Sequence, residues 1–292
     1  MKNLKQYATI GALLALGAAI PTVPALILND NTEPTITEEQ HYRNIHAIIL
    51  SGHSRKDNVI QLDQAQKRVY EAYKILNAQG VDPENIHIFN NRINEETRLE
   101  NLIGKTNIYE SYTTEDALEV VKAIQTDEDS LLFVYVSGHG LLLPNNQPAI
   151  AWNTTAENNQ TTNIPGKDFH EAVNSLPNKY KLTFFPACYG GDMVQLFADN
   201  NTIAISAAQP GNTSAFWDYE RVFLKSFIQI DPEYYGDVEY IADAAGDKNN
   251  IVSFNEAYNY ANYSASAATK RTQTPYMLWG ANVPRDLSFE DF

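Results

Sequence analysis

The chain has 292 residues, of which 43% are hydrophobic, and this is enough to bury a core in one large domain or two small ones. That hydrophobic fraction argues against a disordered chain, and the formal net charge of −15 argues against partners that present nucleic-acid phosphates or anionic lipid. The acidity has two open interpretations: it keeps the protein soluble, or it favours basic substrates.

The N-terminus has the layout of a secretory signal peptide. Lys2 and Lys5 form a short basic region, the apolar residues 8–20 follow, and residues 23–25 offer small side chains at a cleavage site. The apolar run is short for a bilayer span, although an uncleaved membrane anchor remains the alternative. We predict that residues 1–25 are a signal peptide and that the protein is secreted or periplasmic.

The next segment, residues 26–43, is polar and acidic, and we interpret it as a linker or a short propeptide. Beyond it, apolar runs typical of buried strands occur at 45–50, 86–89, 131–136, 182–185, 202–206 and 276–279. Helical spacing or composition predicts helices at 61–79, 114–125, 166–176, 219–230 and 253–267.

Strands that alternate with helices predict an α/β fold, with a parallel sheet covered by helices on both faces. An Asn/Thr-rich stretch at 144–165 interrupts the alternation, and we interpret it as an active-site loop or hairpin. No internal repeat or second domain is evident in the sequence. We therefore predict one domain over residues 44–292.

The chain has a single cysteine, Cys188. Exported proteins normally use cysteines in pairs as disulfides, and a single cysteine cannot form an internal bridge. Cys188 is therefore either a buried small hydrophobic residue or a reactive thiol.

Two predicted strands end in unusual residues. The strand at 131–136 runs into Gly-His-Gly at 138–140, and the strand at 182–185 runs into Ala-Cys-Tyr-Gly-Gly at 187–191. Sites in open parallel sheets form at the carboxyl ends of the strands. If these two strands are neighbours, His139 and the single cysteine face each other there.

His139 and Cys188 could act together as a base and a nucleophile. An ordinary cysteine thiol is only partly ionised at neutral pH, and a nearby imidazole can take its proton and later return it to a leaving amine. The N–H groups of Gly140 and Cys188 would then form an oxyanion hole. We predict His139, Cys188 and Gly140 as the catalytic residues.

These motifs resemble those of the caspase-like cysteine peptidases. Residues 129–140 look like their His-Gly strand and residues 184–191 like their Ala-Cys strand, and the separation of 188 − 139 = 49 residues suits that superfamily. Residues 206–214 and 274–280 are similar to segments of legumains, so we favour that branch over metacaspases. The resemblance covers about residues 44–281 and implies a three-layer α/β/α sandwich with a mostly parallel sheet.

The resemblance also implies a substrate site. The segment from Ser206 to Ser214 would bind an extended peptide by adding a strand, and Trp217 would wall a pocket or else pack in the core. Legumains bind asparagine with an arginine early in the first helix, where this chain has Gln64 beside Asp63. Cleavage after asparagine does not carry over, and Asp63 either favours a basic residue or is a solvated helix residue.

A further departure is Tyr189, which stands where legumains have an acidic residue after the catalytic cysteine. His53 also follows a predicted strand, and it either lines the cleft or is an ordinary loop histidine. No histidines have zinc-ligand spacing, and no phosphate-binding glycine loop is present in the sequence, so we predict neither a metal nor a cofactor.

The sequence thus predicts a cysteine endopeptidase that acts on peptides or proteins through a Cys188 thioester. Transpeptidation is a close variant, because an amine would replace water as the acceptor. Two alternatives from other classes remain: a catalytically inert exported binding protein with the same fold, and a cysteine-dependent amidase acting on small amides. The oligomeric state is not predicted.

Overall fold

The computed structural model describes most of the chain after residue 41. The described residues are 42–52, 59–90, 107–109, 113–153, 161–214, 218–227, 242, 246, 251–268 and 274–292. The predicted signal peptide and all but the last two residues of the predicted linker lie outside them. Arg43, the last of these, forms an isolated parallel bridge with Val81, so the folded domain includes this residue.

The described residues form strands and α-helices that alternate along part of the chain. The strands are β1 (Ile45–Gly52), β2 (Ile86–Asn90), β3 (Asn107–Tyr109), β4 (Leu131–Gly138), β5 (Gly140–Leu142), β6 (Pro148–Asn153), β7 (Thr161–Pro165), β8 (Tyr180–Phe185), β9 (Thr202–Ser206) and β10 (Tyr276–Trp279). The α-helices are α1 (Val59–Ala78), α2 (Thr114–Ala123), α3 (Gly166–Asn174), α4 (Gly190–Phe197), α5 (Asp218–Lys225) and α6 (Phe254–Ala268). These strands and helices alternate except from β2 to β3, from β4 to β7 and from α5 to α6.

Seven of these strands form one sheet. Their order is β10-β9-β8-β4-β1-β2-β3, and only β10 runs antiparallel to its neighbour. The parallel strands end at the same edge of the sheet. β4 and β8 are adjacent, which makes their carboxyl ends neighbours.

Both faces of the sheet are buried, and the side chains of β4 enter a core on each face. Phe133 and Tyr135 enter a core that includes side chains of α1, α5 and α6, whereas Val134 and Val136 enter a second core that includes side chains of α2, α3 and α4. Successive strand residues point to opposite faces, so a strand covered on both sides needs apolar residues throughout. The predicted three-layer α/β/α sandwich with a mostly parallel sheet is confirmed.

Local signals account for two of the helix ends. Thr113 caps α2, because its side-chain oxygen accepts a hydrogen bond from Asp116 N at 3.1 Å. The chain leaves α1 at Gly80, whose φ of 78° lies in the left-handed region that favours glycine. Among the described helices, none is both long and apolar enough to cross a membrane.

In the predicted loop or hairpin at 144–165, the described strands β6 and β7 belong to a second, antiparallel sheet in the order β5-β6-β7. It is more regular than its Asn/Thr-rich sequence indicates. Ile150, Trp152 and Ile164 bury their side chains in the core on the α2, α3 and α4 side. This small sheet begins at Gly140, and it therefore extends directly from the carboxyl end of β4.

Candidate active site

The carboxyl ends of β4 and β8 form the centre of the candidate site. β4 and β8 pair in parallel with Tyr135 opposite Phe184. His139 directly follows β4, and Cys188 lies three residues beyond the end of β8. Both residues are partly exposed, so both are open to solvent at this edge of the sheet.

The turn after His139 is in close contact with the turn that carries Cys188. A Cβ atom added to Gly140 would lie 1.9 Å from the Cys188 carbonyl oxygen and 3.0 Å from its carbonyl carbon. No side chain fits in that space, so glycine is required here by the approach of the two backbones. The structure thus brings the predicted residues His139, Gly140 and Cys188 together.

The backbone of His139 is fixed on two sides. Its N–H donates to the Gly52 carbonyl oxygen at 3.1 Å, and its own carbonyl accepts from Ala151 N at 2.9 Å. Gly138, the preceding residue, has a φ of 109°, and a Cβ there would lie 1.8 Å from the Gly52 oxygen. β1 and β6 together therefore hold the histidine at the end of β4.

The thiol of Cys188 contacts the predicted substrate segment. Its Sγ donates to the carbonyl oxygen of Ser214 at 3.5 Å. The N–H of Cys188 makes no hydrogen bond to any residue within the described parts of the chain. The nucleophile candidate thus lies beside Ser214 with a backbone donor still available.

Two hydrogen bonds tie the substrate segment to the residues after Cys188. The N–H of Tyr189 donates to the Asn212 oxygen at 2.9 Å, and the N–H of Gly211 donates to Asp192 Oδ2 at 2.8 Å. Tyr189 itself has a φ of 57°, in a region that non-glycine residues rarely adopt. The Cys188 turn and the segment after β9 therefore form one connected surface.

Sequence analysis misses Asp192 and the helix α4 that carries it. The helix begins with Gly190 and Gly191. Because glycine is a poor helix former, the sequence of this segment does not suggest a helix. The spacing of Met193, Val194 and Phe197, all buried, is the signal that would have revealed it.

Ser206 is not available to a substrate in the way that the sequence predicts. Its backbone is paired on both sides, with Phe185 of β8 and with Tyr276 of β10. It is fully buried, and its Oγ accepts a hydrogen bond from Ala208 N at 3.0 Å. A substrate peptide therefore finds no unpaired backbone at Ser206. The predicted substrate-binding segment is limited to the residues after Ser206.

Other predicted residues are described in part or not at all. Asp63 and Gln64 lie in α1, but their side chains are outside the described part of the structure. Trp217 and His53 lie outside the described residues. Within the described residues, no group of three or more histidine, cysteine, aspartate or glutamate side chains is arranged to hold a metal ion.

Comparison with known proteins identifies the family of the chain. The sequence profile of the peptidase C13 family matches residues 45–264, which are 220 of the 292 residues. No curated protein sequence matches the chain. The match spans β1 to α6 and includes both turns of the candidate site. The chain therefore belongs to the peptidase C13 family, the legumain-type family of cysteine endopeptidases.

Proposed function

We propose that this protein hydrolyses peptide bonds through a thioester on Cys188, with His139 as general acid and base. The contact of Gly140 with the Cys188 carbonyl carries the proposal, because it joins the turn of the histidine to the turn of the thiol. Family membership supports a cysteine peptidase, and this contact supports these two residues as its reacting pair.

In the first half of the reaction, His139 takes the proton of the thiol and the sulfur attacks the carbonyl carbon of the substrate. The tetrahedral intermediate carries its negative charge on the former carbonyl oxygen. The carbon–nitrogen bond then breaks, His139 gives its proton to the leaving amine, and the acyl group remains on sulfur as a thioester.

In the second half, His139 removes a proton from water, and the oxygen attacks the thioester carbon. The carbon–sulfur bond breaks, the acid product leaves, and the proton returns to Cys188. An amine that enters in place of water would give transpeptidation by the same steps.

Two backbone donors support an oxyanion hole. The N–H of Cys188 has no acceptor within the described residues. Gly140 lies opposite Ile150, while the adjacent pair of His139 and Ala151 shares a hydrogen bond. Hydrogen-bonded and non-hydrogen-bonded pairs alternate in antiparallel strands, so the N–H of Gly140 points away from β6. Both donors are thus free to bind the developing negative charge.

The substrate binds, in this proposal, as an extended chain along the segment that ends at Ser214. Thr213 is exposed, and its backbone groups make no hydrogen bond within the described residues. The next residue, Ser214, contacts the thiol. A peptide that pairs with Thr213 would therefore carry its scissile bond past Cys188.

The test is to detect the thioester directly. The chain without residues 1–25 is mixed with peptides that carry Asn, Asp, Arg, Lys or Ala before the scissile bond, quenched in acid and analysed by intact mass. We expect a transient mass increase equal to the acyl part of the cleaved peptide, and we expect it to map to Cys188, the single cysteine. The preferred peptide also decides whether Asp63 selects a basic residue.

The matched control is Cys188→Ala, which should show neither adduct nor cleavage. Cleavage by this variant would refute the thioester mechanism. A wild-type chain that cleaves no peptide, with Cys188 inert to iodoacetamide, would instead support a binding protein built on the peptidase fold. Cleavage confined to short amides would support the amidase, and ligation to an added amine would support the transpeptidase.

We further propose that the protein is exported and that residues 1–25 are removed. The basic pair Lys2 and Lys5, the apolar residues 8–20 and the small residues 23–25 support this. Expression of the full chain is expected to yield an exported form that begins at Leu26, as determined by N-terminal sequencing. An exported or membrane-bound form that still carries Met1 would support the uncleaved anchor.

A further inference from the structure

Glu220 is a buried acidic residue that the proposed mechanism does not use. It lies in the first turn of α5, and only 4% of its surface is exposed. Taking a carboxylate out of water is costly unless charges or hydrogen bonds compensate it. A buried carboxylate at this position therefore needs compensating partners.

Three side chains from two other elements surround this carboxylate. The hydroxyls of Tyr135 and Ser137, both on β4 and both fully buried, donate to Glu220 Oε1, the latter at 3.0 Å. Arg68 of α1 places Nη1 3.4 Å from Glu220 Oε2. We call these four residues the Glu220 network. The network connects β4 of the sheet to α1 and α5, two helices that cover the same face of that sheet.

The partners of Glu220 offset part of the cost of burying its charge. Burial raises the pKa of Glu220, while the Arg68 charge and the hydrogen bonds from Tyr135 and Ser137 act in the opposite direction. Burial also raises the pKa of Tyr135 well above its usual range, so Tyr135 keeps its proton and remains a donor. The carboxylate therefore has a donor or a cation at each oxygen.

Core packing does not require this polarity. Leu131 and Phe133, which point to the same face of β4, are apolar, and polar groups appear only at Tyr135 and Ser137. A buried ion pair is often no more stabilising than apolar side chains of similar volume. The polar part of the strand is also the part nearest the active site, since Ser137 is two residues before His139.

We propose that Glu220 is a positioning residue that fixes the end of β4, through Ser137 and Tyr135, so that His139 meets Cys188; this rests on the function proposed above. The backbone of His139 is held laterally by Gly52 and Ala151. The hydrogen bond from Ser137 to Glu220 adds an anchor from the helix layer. Together these contacts restrict the strand end in more than one direction, as proton transfer between two side chains demands.

The test compares Ser137→Ala and Tyr135→Phe with Tyr219→Phe. Tyr219 adjoins Glu220 on α5 and is fully buried, and its hydroxyl has no hydrogen-bond partner within the described residues. Tyr219→Phe thus removes a buried hydroxyl from the same helix without touching the network. Ser137→Ala leaves the pair of Arg68 and Glu220 in place, so we expect it to fold.

We expect kcat of Ser137→Ala and Tyr135→Phe to fall by roughly 10- to 100-fold with KM within about twofold of the wild type, because a small displacement of a reacting group costs about this much. The alkylation rate of Cys188 by iodoacetamide at pH 7 should fall at least about threefold, since the thiolate forms less readily without a correctly held imidazole. Tyr219→Phe should match the wild type in both measurements.

A structural role alone would lower the unfolding temperature and leave kcat and the alkylation rate of the folded protein at the level of Tyr219→Phe; that result would overturn the proposal. If the wild type cleaves no peptide, the proposed function fails, yet the alkylation rates still decide whether the network positions the pair. A wild type whose folded form resists iodoacetamide would overturn both.

Discussion

Cys188→Ser and His139→Ala are each expected to lower kcat/KM for peptide cleavage by at least ~10³-fold, as measured with the preferred peptide. A serine hydroxyl has nearly the size of the thiol, but it is a much weaker nucleophile unless a base activates it. His139→Ala removes the imidazole that, in the proposed mechanism, takes the thiol proton and returns it to the leaving amine. Both variants therefore remove the same proton transfer by different means.

Because the two residues act as a unit, the double variant is expected to be no more than about threefold worse than the poorer single variant. The control is His170→Ala, which removes a partly exposed histidine of α3 that packs edge to face against Phe197. This control should keep wild-type kcat/KM. A double variant whose loss equals the product of the two single losses would show that His139 and Cys188 act independently, and it would refute the shared proton transfer.

The proposed reacting pair can be predicted from the sequence because each residue follows an apolar run and has a glycine within two positions. The runs at 131–136 and 182–185 identify β4 and β8, and the general rule for parallel sheets identifies their carboxyl ends as the site. That the two strands are neighbours is not contained in either run. Strand order depends on long-range pairing, so the structure supplies it.

The limits of the strands are harder to predict than their existence. β4 continues through Ser137 to Gly138 because these residues pair with Ser51 and Gly52 of β1. That pairing uses backbone groups, and an apolar pattern carries no information about it. The same holds for β5, which is only three residues long, and for β7, whose sequence is mostly polar. Pairing with β6 defines both strands.

The Glu220 network cannot be predicted from the sequence, for a different reason. Glu220 has the charged neighbours Asp218 and Arg221 within a short helix, which is the pattern of a solvated face. Arg68 and Ser137, its partners, are far away in the chain and belong to other elements. Only the tertiary fold shows that this carboxylate is buried, and that one of its donors lies two residues from the candidate general base.

The contact between Gly140 and the Cys188 carbonyl gives the second large effect. Gly140→Ala is expected to reduce kcat/KM by ~10²–10³-fold, the usual cost of a lost oxyanion donor. The added Cβ would lie 1.9 Å from the Cys188 carbonyl oxygen. That oxygen belongs to the backbone, so the overlap is relieved only when one of the two turns moves. Such a movement displaces the N–H groups proposed to bind the oxyanion, and steady-state kinetics would measure the loss.

Gly80→Ala is the matched control for this variant. Gly80 has a φ of 78°, and a Cβ there would come no closer than 3.4 Å to the side chain of Arg43, so its cost is backbone strain away from the site. This control should lower the unfolding temperature and keep wild-type kcat/KM. A Gly140→Ala enzyme within about twofold of wild-type kcat/KM would contradict the proposed oxyanion hole. If cleavage is lost while Cys188 is still alkylated at the wild-type rate, the thiol remains activated, and the loss lies in the binding of the oxyanion.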